Sequence, residues 1–414
     1  MSRILLGWEL GSNLGHLSRL LPLAVRLKEH AHNVLAVVQD VASAAAILGP
    51  AGIPFVPSPR HIGVRQPIEH SASYADLLLA QGWGDPAALW GLVHGWVNLY
   101  KMFEPDVVVL DYAPSARLAA RVVGTPCVLV GSGFVIPPAL DPLPPFPGLS
   151  WATDNRASES ERRVLERVNA AMKALRGPRL DALRALFDAD QVILTTLPEL
   201  DPYGARDNAC YVGPLGDPGI GEIVDWPSGA TGTRVVAYLR PEMQDVATLL
   251  EGLADSGAAL VCYAPGLPKE TVTRFENAHR IFARRPVQHE HLFAAADACL
   301  SYAPAGTVTH SLLSGVPQVL APLHIESRLT ARRVEALGAG VVLYGSQTPG
   351  SVASVVHRLT TDNKYRARAR AFADRYQDHD PEQAADKIVG CIEEVARNSV
   401  ATRQRGGRGV SDAR

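Results

Sequence analysis

Short apolar runs, each closed by a turn of Gly, Pro or Ser and followed by apolar residues at helical spacing, recur in two series along this chain. A strand that is apolar on both faces must be covered on both, so the pattern reads as parallel sheets wrapped by helices. The first series opens with Ile4 to Gly7, turns through Gly11, Asn13 and Gly15, and continues with Leu17, Leu20, Leu21, Ala24 and Leu27 on one helical face. Further strands are expected at 34–38, 54–56, 107–110, 127–130 and 191–195, with an Ala-rich helix over 41–48. The second series has strands at 234–238, 259–263, 280–282, 298–301, 318–321 and 340–343, with a helix over 245–254. Between them, 211–233 carries Gly213, Pro214, Gly216, Pro218 and the pair Trp226-Pro227, a natural domain boundary. The expected organisation is α/β: doubly wound domains at 1–210 and 234–398, a linker over 211–233, a disordered tail over 399–414, and a cleft between the domains.

Composition narrows the function. The 414 residues suffice for two domains with proper cores. With 40 Lys plus Arg against 42 Asp plus Glu, the net charge of -2 gives no overall reason to bind nucleic acid or an anionic membrane. Five Cys, at 127, 210, 262, 299 and 391, form no C-x-x-C pair. They argue against a disulfide framework or structural zinc and fit reduced thiols in a cytoplasm. The first residues reach Glu9 too soon for a signal peptide, and no run of about 18 apolar residues offers a transmembrane segment.

Two insertions break the rhythm. Residues 57–105 hold Tyr74, Trp83, Trp90, Trp96, Tyr100 and Phe103, and 134–151 is rich in Pro. Such loops are commonly functional. The aromatics have two open readings: a ligand-binding surface, or burial of helix faces packed on the first sheet.

Gly11-Ser-Asn-Leu-Gly15-His16 stands where the first strand hands over to the first helix. That carboxyl edge is where open parallel sheets bind ligands. Glycines there let the backbone approach a ligand, and an imidazole titrates near neutrality, which suits a general base. Asp111 ends the buried run 107–110 at the same edge. It could orient His16 by accepting the proton of one ring nitrogen, or it could cap the helix beginning near Ser115.

A second constellation runs from Ala303-Pro304-Ala305-Gly306-Thr307 through His310 and Gly315-Val316-Pro317 to Pro322, Glu326 and Ser327. Small residues opening a helix present unpaired backbone N–H groups, a common cradle for a diphosphate. A plain strand-to-helix turn has the same look.

With these motifs in order, the chain resembles the nucleotide-sugar glycosyltransferases of GT-B fold, two Rossmann-like domains facing each other across a cleft, and among them the family 1 branch of plant and macrolide enzymes. The resemblance rests on Gly15-His16, 105–111, the linker Tyr211-Val-Gly-Pro-Leu215 and, above all, 305–333. It implies that His16 is the general base and Asp111 its orienting partner. It also implies that Gly306, Thr307 and the Leu239-Arg240-Pro241 turn hold the donor diphosphate, with Gln288, Tyr302, Ala305, His310, Glu326 and Ser327 completing the donor site. Asn13, Trp83, Trp90 and Phe134 are the expected acceptor contacts.

The departures are specific. Tyr302-Ala303-Pro304 replaces the family's His-Gly-Gly, His310 stands where a Glu binds ribose hydroxyls, and Glu326-Ser327 replaces an acidic-Gln pair. Gly-His-x-x-Arg replaces Gly-His-x-x-Pro, and its Arg19 has two readings, a phosphate ligand or a solvated side chain.

The expected activity is inverting transfer of a sugar from a nucleoside-diphosphate donor to a hydroxyl of an apolar or aromatic small molecule. It requires no metal and no cofactor beyond the donor co-substrate. Two alternatives are a nucleotide-sugar hydrolase of the same fold and a catalytically lapsed helper protein. The sequence leaves donor base, sugar, acceptor and oligomeric state open, a homodimer included.

Overall fold

The computed structural model describes residues 1–11, 14–62, 70–216, 221–228 and 232–408. The chain divides into two compact units: Met1–Pro198 with Tyr203–Gly216 and Pro381–Arg414, and Glu199–Pro202 with Asp217–Asp380.

The first unit is built on seven parallel strands: β1 (Arg3–Trp8), β2 (Asn33–Val38), β3 (Phe55–Pro57), β4 (Val107–Asp111), β5 (Cys127–Gly131), β6 (Gln191–Leu194) and β7 (Cys210–Tyr211). Their order is β3-β2-β1-β4-β5-β6-β7. Chain direction across the sheet therefore reverses between β1 and β4, where Trp8 pairs with Asp111. Strands β4 and β5 are buried along their whole length, as Val-Val-Val-Leu and Cys-Val-Leu-Val predict. Helix Gly15–Glu29 buries Leu17, Leu20, Leu23, Ala24 and Leu27. Four of the five expected positions are buried; Leu23 joins them, while Leu21 is half-buried.

The second unit has six parallel strands: β8 (Arg234–Tyr238), β9 (Ala259–Tyr263), β10 (Arg280–Ala283), β11 (Ala298–Ser301), β12 (Gln318–Leu320) and β13 (Gly340–Val342), in the order β10-β9-β8-β11-β12-β13. Its reversal falls between β8 and β11, where Tyr238 pairs with Ser301. Both sheets are those expected of doubly wound domains.

Three boundaries differ from the sequence reading. Strand β7 straddles the boundary between the first domain and the segment read as the linker, pairing with β6 through Cys210 and Tyr211. Helix Pro381–Arg408 groups with the first unit, whereas the sequence reading runs the second domain to 398. Its buried stripe of Ala385, Ile388, Ile392 and Ala396 packs on helix Gly15–Glu29 and on β4, β5 and β6. Arg26 pairs with Asp386 at 2.8 Å, and Glu393 takes His30 Nδ1 and His32 Nε2 at 2.8 and 2.9 Å. Finally, 399–408, read as part of a disordered tail, continues this helix, and the remainder of that tail lies outside the described residues.

Candidate active site

The reversal point of the first sheet brings His16 to Asp111. His16 opens helix Gly15–Glu29, and Asp111 is the last residue of β4, fully buried. Their Nδ1 and Oδ2 atoms lie 2.9 Å apart. The imidazole stacks on the Trp8 indole, with centroids 5.1 Å apart and planes at 19°, and its other face meets Tyr112 at 6.2 Å. Its Nε2 makes no hydrogen bond among the described residues and lies over Gly11: a Cβ there would stand 2.6 Å from it. Gly11 has φ +85°, so both the turn and the imidazole require glycine. Tyr112, directly after Asp111, has φ +49°, an uncommon conformation for a bulky residue.

Electrostatics keeps Asp111 an acceptor. Burial pushes its carboxyl up, but the Arg19 guanidinium and then His16 outweigh burial and hold it below its ordinary value. Arg19 Nη1 donates to the same Oδ2 at 2.5 Å. The structure replaces the solvated reading of Arg19 with this ion pair. The signal was available: His16 and Arg19 are three residues apart on one helix and therefore share a face.

The competing role proposed for Asp111, capping the next helix, belongs to Glu9. Its Oε2 accepts from Ser115 N at 2.9 Å and Ala116 N at 3.4 Å, at the start of helix Pro114–Val123. Glu9 is 3% exposed, and burial, only partly opposed by these bonds, raises its carboxyl to about 7. Sequence reading overlooked Glu9 because nothing local marks a capping partner more than 100 residues distant.

The aromatic insertion divides between two roles. Trp83, expected at the acceptor, is 0% exposed and belongs to the core; Trp96 also lies in the core, against Gly7 of β1. Trp90 is 41% exposed and stacks on His94 at 4.6 Å. Phe134 is buried and links Tyr112, 6.4 Å away, to Phe146 at 5.7 Å. It therefore joins the aromatic wall that begins at His16. Asn13 lies outside the described residues. A pocket at the carboxyl ends of β1, β2 and β3 is lined by Glu9, Leu10 and Gln39, with Arg60, His61, Gln81, Gly82 and Leu92 from the insertion.

In the second unit, the donor candidates gather at the corresponding reversal. Helix Ala305–Leu313 begins just after β11, and no side chain caps it. Its first-turn N–H groups are therefore placed to receive an anion. A Cβ on Gly306 would meet nothing within 4 Å, whereas Thr307 is 3% exposed. Ala303, two residues after β11, has φ +61°. Arg240, following β8, lies over the rings of Tyr238 and Tyr302 at 5.9 and 5.8 Å. His310 stacks on His289 at 4.9 Å, and Gln288 Nε2 donates to Gly221 O at 3.4 Å.

Ser327 needs correction as a sugar ligand. It is fully buried; its Oγ accepts from Leu323 N and His324 N, each at 2.9 Å, and donates to His324 O at 2.8 Å. With these bonds the hydroxyl closes a capping box on helix Ile325–Ala336. Glu326, beside it, is half-buried in the first turn of that helix.

Comparison with known proteins agrees with the fold. Residues 247–392 match the family described as erythromycin biosynthesis protein CIII-like, C-terminal domain. A PGL/p-HBAD biosynthesis glycosyltransferase of Mycobacterium tuberculosis is 25% identical over 293 residues, spanning 66% of this chain and 67% of the relative. Among solved structures, the calicheamicin glycosyltransferase CalG4 superposes with a TM-score of 0.71 at 20% identity, over 95% of this chain and 99% of that one. The glycosyltransferase VinC, solved in complex with DTDP, gives 0.69 at 18% identity, over 96% and 100%. Among the described residues, no helix is long and apolar enough to cross a membrane.

Proposed function

We propose, for a chain whose fold and C-terminal domain are those of the family 1 GT-B glycosyltransferases, that it moves a sugar from a nucleoside diphosphate to a hydroxyl of an apolar or aromatic small molecule, with inversion at the anomeric carbon. The observation that carries this reading is the pair His16 and Asp111 at the reversal point of the first sheet. With Nδ1–H donated to Asp111, the Nε2 lone pair takes the acceptor's proton as its oxygen attacks the anomeric carbon. The proton passes to imidazole, the C–O bond to the diphosphate breaks, and the nucleoside diphosphate leaves with the electron pair.

The acceptor class rests on the aromatic wall of Tyr112, Phe134 and Phe146 next to His16. The pocket lined by Gln39, Arg60, His61 and Gln81 adds polar groups suited to an acceptor's substituents. Donor binding is assigned to the second unit. Backbone N–H groups of Ala305, Gly306 and Thr307, together with Arg240, offset the charge of the departing diphosphate, so no metal is required. Tyr302, where the family pattern has a His, supports Arg240, whose guanidinium carbon lies over its ring, and His310 and Gln288 flank the nucleotide. The VinC complex makes dTDP-sugars the first donors to try.

The test is transfer by the full chain from a panel of UDP-, dTDP- and GDP-sugars to hydroxylated aromatic acceptors, with and without EDTA. Acceptor-dependent product whose rate EDTA leaves unchanged supports the reading. Sugar release that no acceptor accelerates would assign the chain to hydrolysis instead.

A further inference from the structure

Arg19 lies one turn beyond His16 on the same face of helix Gly15–Glu29. Its Nη1 and His16 Nδ1 converge on a single oxygen, Asp111 Oδ2, at 2.5 and 2.9 Å. The other oxygen, Oδ1, is buried and makes no hydrogen bond among the described residues; it lies beside Gly131, 3.5 Å from where a Cβ would stand. A fully buried carboxylate with no nearby cation tends to take up a proton. A protonated Asp111 could donate to Nδ1 instead of accepting from it, and the hydrogen of His16 would then move to Nε2, the atom that must accept.

Resting on the function proposed above, we propose that Arg19 is a positioning residue: it holds Asp111 charged and its Oδ2 in place, so that His16 keeps its hydrogen on Nδ1 and its lone pair on Nε2. Arg19 acts through Asp111 and touches no substrate. The other groups around the imidazole, Trp8 and Tyr112, are uncharged at neutral pH, and Glu9 is turned to the backbone of Ser115 and Ala116. Among the described residues, Arg19 is therefore the one permanent cation paired with Asp111. This accounts for Arg at the position where the family pattern has Pro: one helix supplies both the base and, a turn later, the cation that keeps its partner ionised.

The experiment compares the full natural chain with Arg19→Gln and Arg19→Lys, each labelled with ¹⁵N-histidine, so that the tautomer of His16 is read by NMR without any turnover. The natural chain is expected in the Nδ1–H form. Arg19→Gln should acquire an Nε2–H population and lose kcat roughly tenfold at unchanged KM, a size typical when a group that orients a reacting residue is removed. The acid limb of its pH–rate profile should move to higher pH, and Arg19→Lys should restore the Nδ1–H form. A folded Arg19→Gln with an unchanged tautomer overturns the proposal. If that variant does not fold, the natural chain decides: its ¹³C-labelled Asp111 carboxyl should take up no proton between about pH 5 and 8, and uptake there overturns it equally. A chain that transfers no sugar yet passes the tautomer test refutes the functional reading and leaves this one intact.

Discussion

His16 Nδ1 and Asp111 Oδ2, 95 residues apart in sequence, lie 2.9 Å apart because β1 and β4 are neighbours at the point where the first sheet reverses its strand order. In the proposed function, that adjacency makes the two residues a base and its orienting partner. Replacing His16 by Ala is expected to lower kcat by about 10² to 10⁴ while far-UV circular dichroism stays that of the natural chain. Asp111→Asn should fall in the same range. Full turnover in folded His16→Ala would remove the base from the mechanism.

Gly11→Ala tests the clearance over the imidazole. The added methyl would sit 2.6 Å from His16 Nε2, at a residue whose φ is +85°. The conformation alone costs about 1–2 kcal/mol, so the urea midpoint should fall. The displaced ring should also lower kcat far more than that loss of stability explains. Turnover equal to the natural chain's would show that Nε2 does not need that space.

Glu9 makes a pH prediction whose sign is opposite to that of most carboxylates. Its carboxyl titrates at about 7 in the folded chain against an ordinary 4.5, so between those values the folded state binds more protons than the unfolded one. Stability from this group is therefore full below about pH 4.5, declines as pH rises to about 7, and is flat beyond. The scale is on the order of 3 kcal/mol, from about 1.4 kcal/mol per tenfold change in the proton equilibrium. Denaturation of Glu9→Gln should lack that decline, because the amide oxygen still accepts from Ser115 and carries no charge to bury. A decline of the same depth in the variant would assign it to other groups.

Much of this architecture was legible in the sequence because a strand buried on both faces has few alternatives. The runs at 107–110 and 259–263 announced β4 and β9, and the position of His16 and Asp111 at carboxyl ends followed from the strand–turn–helix order. Tertiary pairings were not legible. Helix Pro381–Arg408 follows the second unit in sequence, and only its partners, Arg26 and the faces of β4 to β6, show that it returns to the first. Trp83 read as a ligand-binding aromatic because composition does not reveal which side of a helix meets the core. Ser327 is expected as a sugar ligand from the resemblance alone, which does not reveal that its hydroxyl is already bonded to the backbone of Leu323 and His324.

Arg240 and Ser327 separate binding from scaffold. Arg240→Ala is expected to raise the donor KM about tenfold or more, with Arg240→Lys recovering only part of it, since a point charge replaces a planar fork. Ser327→Ala should instead lower stability by about 1 kcal/mol through loss of the cap and leave the donor KM unchanged. Denaturant midpoints and donor saturation curves for the three variants distinguish these outcomes. An unaltered donor KM in Arg240→Ala would remove it from the phosphate site.

The most direct test of sugar transfer with His16 as base is mass spectrometry of the product formed from a dTDP- or UDP-sugar and a hydroxylated aromatic acceptor, run side by side with natural chain and His16→Ala. The account expects an acceptor-plus-sugar product of inverted anomeric configuration from the natural chain, reduced at least a hundredfold in the variant. Equal product from both proteins, or nucleotide release indifferent to the acceptor, would contradict it.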